Sequence, residues 1–193
     1  MGQTSILSSE FVRALRRLRP EKHRSSLKRR KDQELHFLAT TPGKPHSVLY
    51  DTTVYADILQ GRFPAAAETM LRTANAWHSS VAENELASIC GLLDPAHPDT
   101  RTVIQQVTAV IERIPSHRMI VPDREIWQRA GILTGIFARV QVLSKSERRR
   151  ILNDALIFET GRKYGHTVLT RNIGDFDFLH QLDPGGRVMF YRL

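Results

Sequence analysis

"SVLYDTTVYADIL", residues 47–59, is the stretch whose reading decides the fold. Val48, Leu49 and Tyr50 form a short apolar run of the kind that builds a buried strand. The run stops at Asp51, and Thr52 and Thr53 follow. A carboxylate at the end of a hydrophobic strand is costly to take out of water unless a partner compensates it. The residues around Asp51 must therefore explain its position.

Outward from this strand, strand-like and helix-like segments alternate. Strands are expected at 47–51, 77–81 and 166–170, with a weaker one at 117–121 and a last one at 187–191. Helical periodicity runs through 64–75, 82–93, 100–113, 123–143 and 146–164. Strands separated by helices predict a three-layer α/β/α domain with a largely parallel central sheet covered on both faces. In such sheets ligands bind in the crevice beyond the carboxyl ends of the strands.

Several acids fall at that edge. Asp51 ends the first strand, Glu85 lies early in the helix after "WHSSV", and Asp175 and Asp177 follow the strand "HTVLT". Asp154 joins them from "ILNDALIFETG", in a helix whose Ile151, Leu152, Ala155 and Leu156 point to the core. Taken singly, these are ordinary residues. Asp51 is a natural turn former or helix cap, Glu83 and Glu85 suit a helix N-terminus, and Asp177 is expected to face solvent or act as a cap. Taken together, they repel. At ~4 Å, two like charges cost about 4 kcal/mol at an effective dielectric near 20. A divalent cation relieves that repulsion, and all-oxygen ligation suits Mg²⁺ or Mn²⁺.

Charge is distributed unevenly. The net charge is +8, and residues 1–46 hold 11 Lys/Arg against 4 Asp/Glu, whereas residues 47–193 hold 17 against 16. A basic N-terminal extension thus precedes a near-neutral domain at 47–193. In the extension, "SSEFVRALRRLRP" carries a Ser cap, apolar Phe11, Val12, Leu15 and Leu18 at helical spacing, and a terminating Pro20. "TTPGKPH" reads as a linker. Three roles fit the extension: a docking or solvated arm, a nucleic-acid contact centred on the run Lys28 to Lys31, or an Arg- and Ser-rich presequence, the last opposed by Glu10, Glu21, Asp32 and Glu34.

Other chemistries find little footing. Cys90 is alone, which leaves no intrachain disulfide framework and points to a reducing, cytoplasmic setting. No apolar stretch approaches the length of a membrane span. The eight histidines lack paired zinc-ligand spacing, and no phosphate-cradling Gly-rich loop or dinucleotide fingerprint is present.

Four motifs in order give the chain a resemblance. "VLYDTTVYADIL", "SSVAENEL", "LNDALIFETGRKYGHTVLTRN" and "GDFDFL" make residues 47–180 similar to a PIN domain, the metal-dependent ribonuclease fold, with the nearest likeness to the VapC-type toxins of bacterial toxin–antitoxin pairs. The third position of the opening motif departs from the family's Asn or Ser and is Thr53. The resemblance implies that Asp51, Glu85, Asp154 and Asp175 are the catalytic and metal-binding acids. Thr52, Thr170 and Asn172 would position water or phosphate. It further implies a Mg²⁺- or Mn²⁺-dependent endoribonuclease that leaves a 5′-phosphate and a 3′-hydroxyl, forms a homodimer, and is neutralised by a cognate antitoxin. The alternative is a catalytically inactive member of the fold that binds nucleic acid or another protein.

Overall fold

The computed structural model describes residues 9–38, 47–71 and 74–193. Five strands, β1 (Ser47–Tyr50), β2 (Asn75–Ser79), β3 (Met119–Ile120), β4 (Thr167–Thr170) and β5 (Arg187–Phe190), form one sheet in the order β3-β2-β1-β4-β5. Every pairing is parallel, with Leu49 in register between Trp77 and Val168. The helices are α1 (Glu10–Leu18), α2 (Thr52–Leu59), α3 (Ala65–Leu71), α4 (Ser80–Leu92), α5 (Thr100–Glu112), α6 (Arg124–Val140), α7 (Lys145–Tyr164) and α8 (Ile173–Leu182). The expected three-layer α/β/α architecture is the observed one.

Helix α7 lies directly on one face of the sheet. Gly161 allows this, because a Cβ there would stand 2.6 Å from the Val168 side chain. A Ser144–Glu147 capping box starts α7, and Gly165, in the left-handed region at φ 70°, ends it. Helix α6 packs on α7, and α1 on α6. On the opposite face, Tyr55 of α2 meets Tyr50 of β1 edge to face. Val48, Leu49, Val168, Leu169, Ile157 and Phe158 are among the fully buried residues that join sheet and helices into one core.

Two helices absent from the sequence reading, α2 and α8, begin immediately after strands. Asp51 caps α2 through a bond from the Thr53 N–H, and Asn172 caps α8 through a bond from the Asp175 N–H. Both helices are short, so their caps rather than their periodicity mark them. Strand β2 begins two residues before its expected start, at Asn75.

The N-terminal stretch is laced onto this body. Ser9 caps α1, and Ala14 and Leu18 are buried beneath it while Phe11 stays 42% exposed. Beyond α1, Gln141 donates to the Leu27 carbonyl and Gln181 to the Lys28 carbonyl. Phe37 then forms a parallel bridge with Phe190, with backbone bonds of 2.8 Å on either side. The outward N–H and C=O of Phe190 at the end of β5 are thereby paired. The linker expected at 40–46 lies outside the described residues, as do residues 1–8. Among the described residues, no helix is long and apolar enough to cross a membrane.

Candidate active site

The carboxyl ends of β1 and β4 open into a cleft of about 550 Å³ lined by Asp51, Glu85, Arg150, Asp154, Arg171 and Asn172, with Thr52 and Thr53 on its floor side. The topology puts them there. Asp51 follows β1, Glu85 comes from the second turn of α4, Asp154 from the middle of α7, and Asn172 from the turn after β4.

Asp51 is only 2% exposed. Its Oδ2 accepts from the hydroxyls of Thr53 and Thr170, both at 2.7 Å. Thr53, which departs from the opening motif, therefore keeps a hydroxyl at work on the carboxylate. The same Thr53 hydroxyl accepts from the Arg171 N–H, and the Thr170 hydroxyl accepts from the Asn172 N–H. Asp51 is thus held between the starts of α2 and α8.

Glu85 is half-buried. Thr52 Oγ1 donates a short bond to its Oε2, and Asn153 Nδ2 donates at 2.8 Å to its Oε1. Asp154 is 7% exposed, and its hydrogen bond comes from Asn172 Nδ2 at 3.2 Å. The same amide nitrogen reaches Asp175 Oδ2 at 2.9 Å. Asp175 is the member held apart. It does not line the cleft, and Arg150 Nη1 forms an ion pair with its Oδ2.

The two arginines that line the cleft, Arg150 and Arg171, pair with Asp175 and Asp57. Among the described residues, Asp51, Glu85 and Asp154 have no arginine, lysine or histidine in ion-pair contact, and their hydrogen bonds come from neutral Thr and Asn groups. The consequence appears in the titration of Asp51 and Asp154. Burial, and then the Glu85 charge, pushes the Asp51 carboxyl above its ordinary value against the pull of its Thr bonds. Asp154 is raised well above the ordinary range by burial, with the Asp51, Asp175 and Glu85 charges adding to it. A surplus of oxygen donors and negative charge is the donor chemistry of a hard divalent cation. The fit lies in charge and ligand type. Among the described residues, no three His, Cys, Asp or Glu side chains already stand in ion-holding geometry.

Asp177 differs from its expected place. It is not at the surface but completely buried, and Arg30 of the N-terminal stretch donates to it from the backbone N–H at 2.8 Å and from Nε at 2.6 Å. Its partner lies 147 residues away in sequence, so no local pattern around "GDFDFL" announces the burial. Two contributors went unread in the sequence, Asn153 and Arg150, and Thr53 stood in the opening motif without a role. Arg150 had a signal, since it precedes Asp154 by four residues and so shares its helix face.

No family model matches the chain, and no curated protein matches it in sequence. Solved structures do match in three dimensions. The crystal structure of VapBC2 from Rickettsia felis, bound to a DNA fragment from their promoter, aligns with a TM-score of 0.54 at 14% identity, covering 75% of this chain and 98% of that one. DNA-bound VapBC from Salmonella typhimurium aligns at 0.54 with 18% identity, covering 75% and 97%. FitAcB from Neisseria gonorrhoeae aligns at 0.52 with 17% identity, covering 75% and 96%. The likeness is one of fold. At these identities it fixes the architecture around the cleft and leaves the chemistry to be argued from the residues.

Proposed function

We propose that the chain is a metal-dependent endoribonuclease acting as the toxin of a toxin–antitoxin pair. The observation that carries this reading is the uncompensated charge of Asp51, Glu85 and Asp154, buried or half-buried at the carboxyl edge of a parallel sheet. Burying carboxylates without cations disfavours the folded state, so a sequence that keeps three of them together has a use for their charge. The fold shared with VapBC and FitAcB structures supports the same reading.

Asp51, Glu85 and Asp154 would hold Mg²⁺ or Mn²⁺, with Asp175 adjoining them through Asn172. When bound, such an ion supplies an acidified water and stabilises the attacking and leaving oxygens of an in-line displacement at phosphorus. Thr53 and Thr170 fix the Asp51 carboxylate, and Thr52 and Asn153 fix Glu85, so that neither rotates away as substrate enters. Asn172 keeps Asp154 and Asp175 side by side. RNA is the substrate, a second copy of the chain the dimer mate, and an antitoxin the inhibitory partner.

Incubating the purified protein with a pool of cellular RNA in Mg²⁺ or Mn²⁺ tests the reading. Cleavage that disappears in EDTA and in Asp51→Asn is the expected result. Turnover that persists in either condition would falsify the metal assignment, and binding of RNA without turnover in the wild type would support the inactive alternative. Co-purification of a small partner from the native locus tests the antitoxin.

A further inference from the structure

Arg150 is the one cation in direct contact with this acid set among the described residues. It stands on α7 one turn before Asp154, its side chain is 57% exposed, and it lines the cleft. Its Nη1 pairs with Asp175 Oδ2, the same oxygen that accepts from Asn172. That oxygen is therefore shared between the guanidinium and the Asn172 amide, and the pair competes with a metal for the Asp175 carboxylate. Lys145, Arg148 and Arg149, in the first turns of α7, are also exposed.

From this geometry we infer that Arg150 is a substrate-binding residue with two alternating partners. In the cation-free cleft it is the counter-ion of Asp175. When a divalent ion is held by the acids, Asp175 turns to the ion, and the released guanidinium takes a phosphate of the incoming RNA. Two physical facts drive the exchange. A divalent ion and a guanidinium repel each other across one carboxylate, so occupancy of the site weakens the pair. A freed guanidinium presents a planar fork of donors that matches a phosphate bidentately, which a lysine at this position would not. The guanidinium is 57% exposed and the Asp175 side chain 14%, so the arginine leaves at little cost provided that the ion takes over the carboxylate. Metal binding and RNA binding would then be coupled through a single side chain, with the ion preparing the phosphate contact.

This inference rests on the nuclease reading, and calorimetric titration of Mn²⁺ separates the two. Arg150→Gln, a change on an exposed turn, is expected to tighten Mn²⁺ binding roughly fivefold, the upper end of what an exposed ion pair is worth. In an Asp175→Asn background the same change is expected to have a clearly smaller effect on Mn²⁺ affinity, because the pair it relieves is already gone and only the charge of Arg150 on Asp154 remains. The Michaelis constant for RNA is expected to rise severalfold in Arg150→Gln and to be only partly restored in Arg150→Lys. Wild-type Mn²⁺ binding that Arg150→Gln leaves equal or weaker overturns the role of Arg150 while the nuclease reading stands. An unchanged Michaelis constant likewise removes the phosphate contact. Failure of the folded wild type to bind Mn²⁺ at all overturns the nuclease reading and this inference with it.

Discussion

Buried acids are treated in two ways in this molecule. Between α6, α7 and the turn after α8, Arg129 joins Glu159 and Asp183, with side chains no more than 4% exposed, and Arg162 adds a second guanidinium to Glu159. Asp57 is held by Arg171 and by the Tyr191 hydroxyl, and Asp177 by Arg30. In the cleft, by contrast, Asp51, Glu85 and Asp154 receive only hydroxyl and amide donors. Among the described residues, each of the other buried acids, Asp57, Glu159, Asp177 and Asp183, is paired with an arginine. The absence of arginine from three neighbouring acids separates a site from scaffold more sharply than burial or acidity does, since both regions are buried and both are acidic.

The contrast can be broken most forcefully on the scaffold side. Arg129→Ala leaves Glu159 and Asp183 buried with Arg162 and, at Asp183, the exposed Arg17 beside them, and should lower stability by about 3 kcal/mol or more. Urea denaturation monitored by circular dichroism reads this directly; a loss under about 1 kcal/mol would mean that the network is not holding the helices together.

Arg30→Ala should cost about 2 kcal/mol, because Asp177 is then buried with Gln181 as its remaining side-chain donor. The effect should also loosen the N-terminal stretch, seen as faster amide exchange around Leu27 and Phe37. If the stretch is a pure nucleic-acid arm, neither stability nor exchange will move, and only the salt dependence of RNA binding will change.

On the cleft side the sign reverses. Asp154→Asn should abolish RNA cleavage yet stabilise the metal-free protein by about 1 kcal/mol or more, a part of the ~4 kcal/mol that two like charges cost at ~4 Å and an effective dielectric near 20. The pH dependence sharpens this. The folded-state value of Asp154 lies above its unfolded value, so the wild type gains stability from its proton at low pH and loses it as pH rises through the folded value. The advantage of Asp154→Asn should therefore be absent at acidic pH and grow with rising pH. Saturating Mg²⁺ should reverse the ranking, stabilising the wild type and not the mutant. A mutant less stable than wild type at every pH would show that Asp154 is compensated by something other than a cation.

The smallest effect concerns support of Glu85. Asn153→Ala removes one donor from a half-buried carboxylate and should cost roughly 0.5–1.5 kcal/mol. A matching loss of Mn²⁺ affinity would place Asn153 in the service of the site, whereas lost stability with unchanged affinity would return it to the scaffold.

Much of this was legible in the chain itself. Apolar runs at 47–50 and 167–170 and the long periodic segment at 145–164 encode strands and a helix locally, and their alternation is enough for a parallel sheet. The positions of Asp51, Glu85 and Asp154 relative to those elements then send all three to one cleft. Helices α2 and α8 escaped because each is short and opens on a residue, Asp51 or Asn172, that also belongs to the cleft. What no local pattern contains is the partner of each charge. Arg30 reaches Asp177 across 147 residues, Arg171 reaches Asp57 across 114, and Arg150 reaches Asp175 across 25. Periodicity and capping are short-range properties that neighbouring residues fix among themselves. Neutralisation of a buried charge depends on which distant side chain the folded core brings within about 3 Å, and only the tertiary structure decides that.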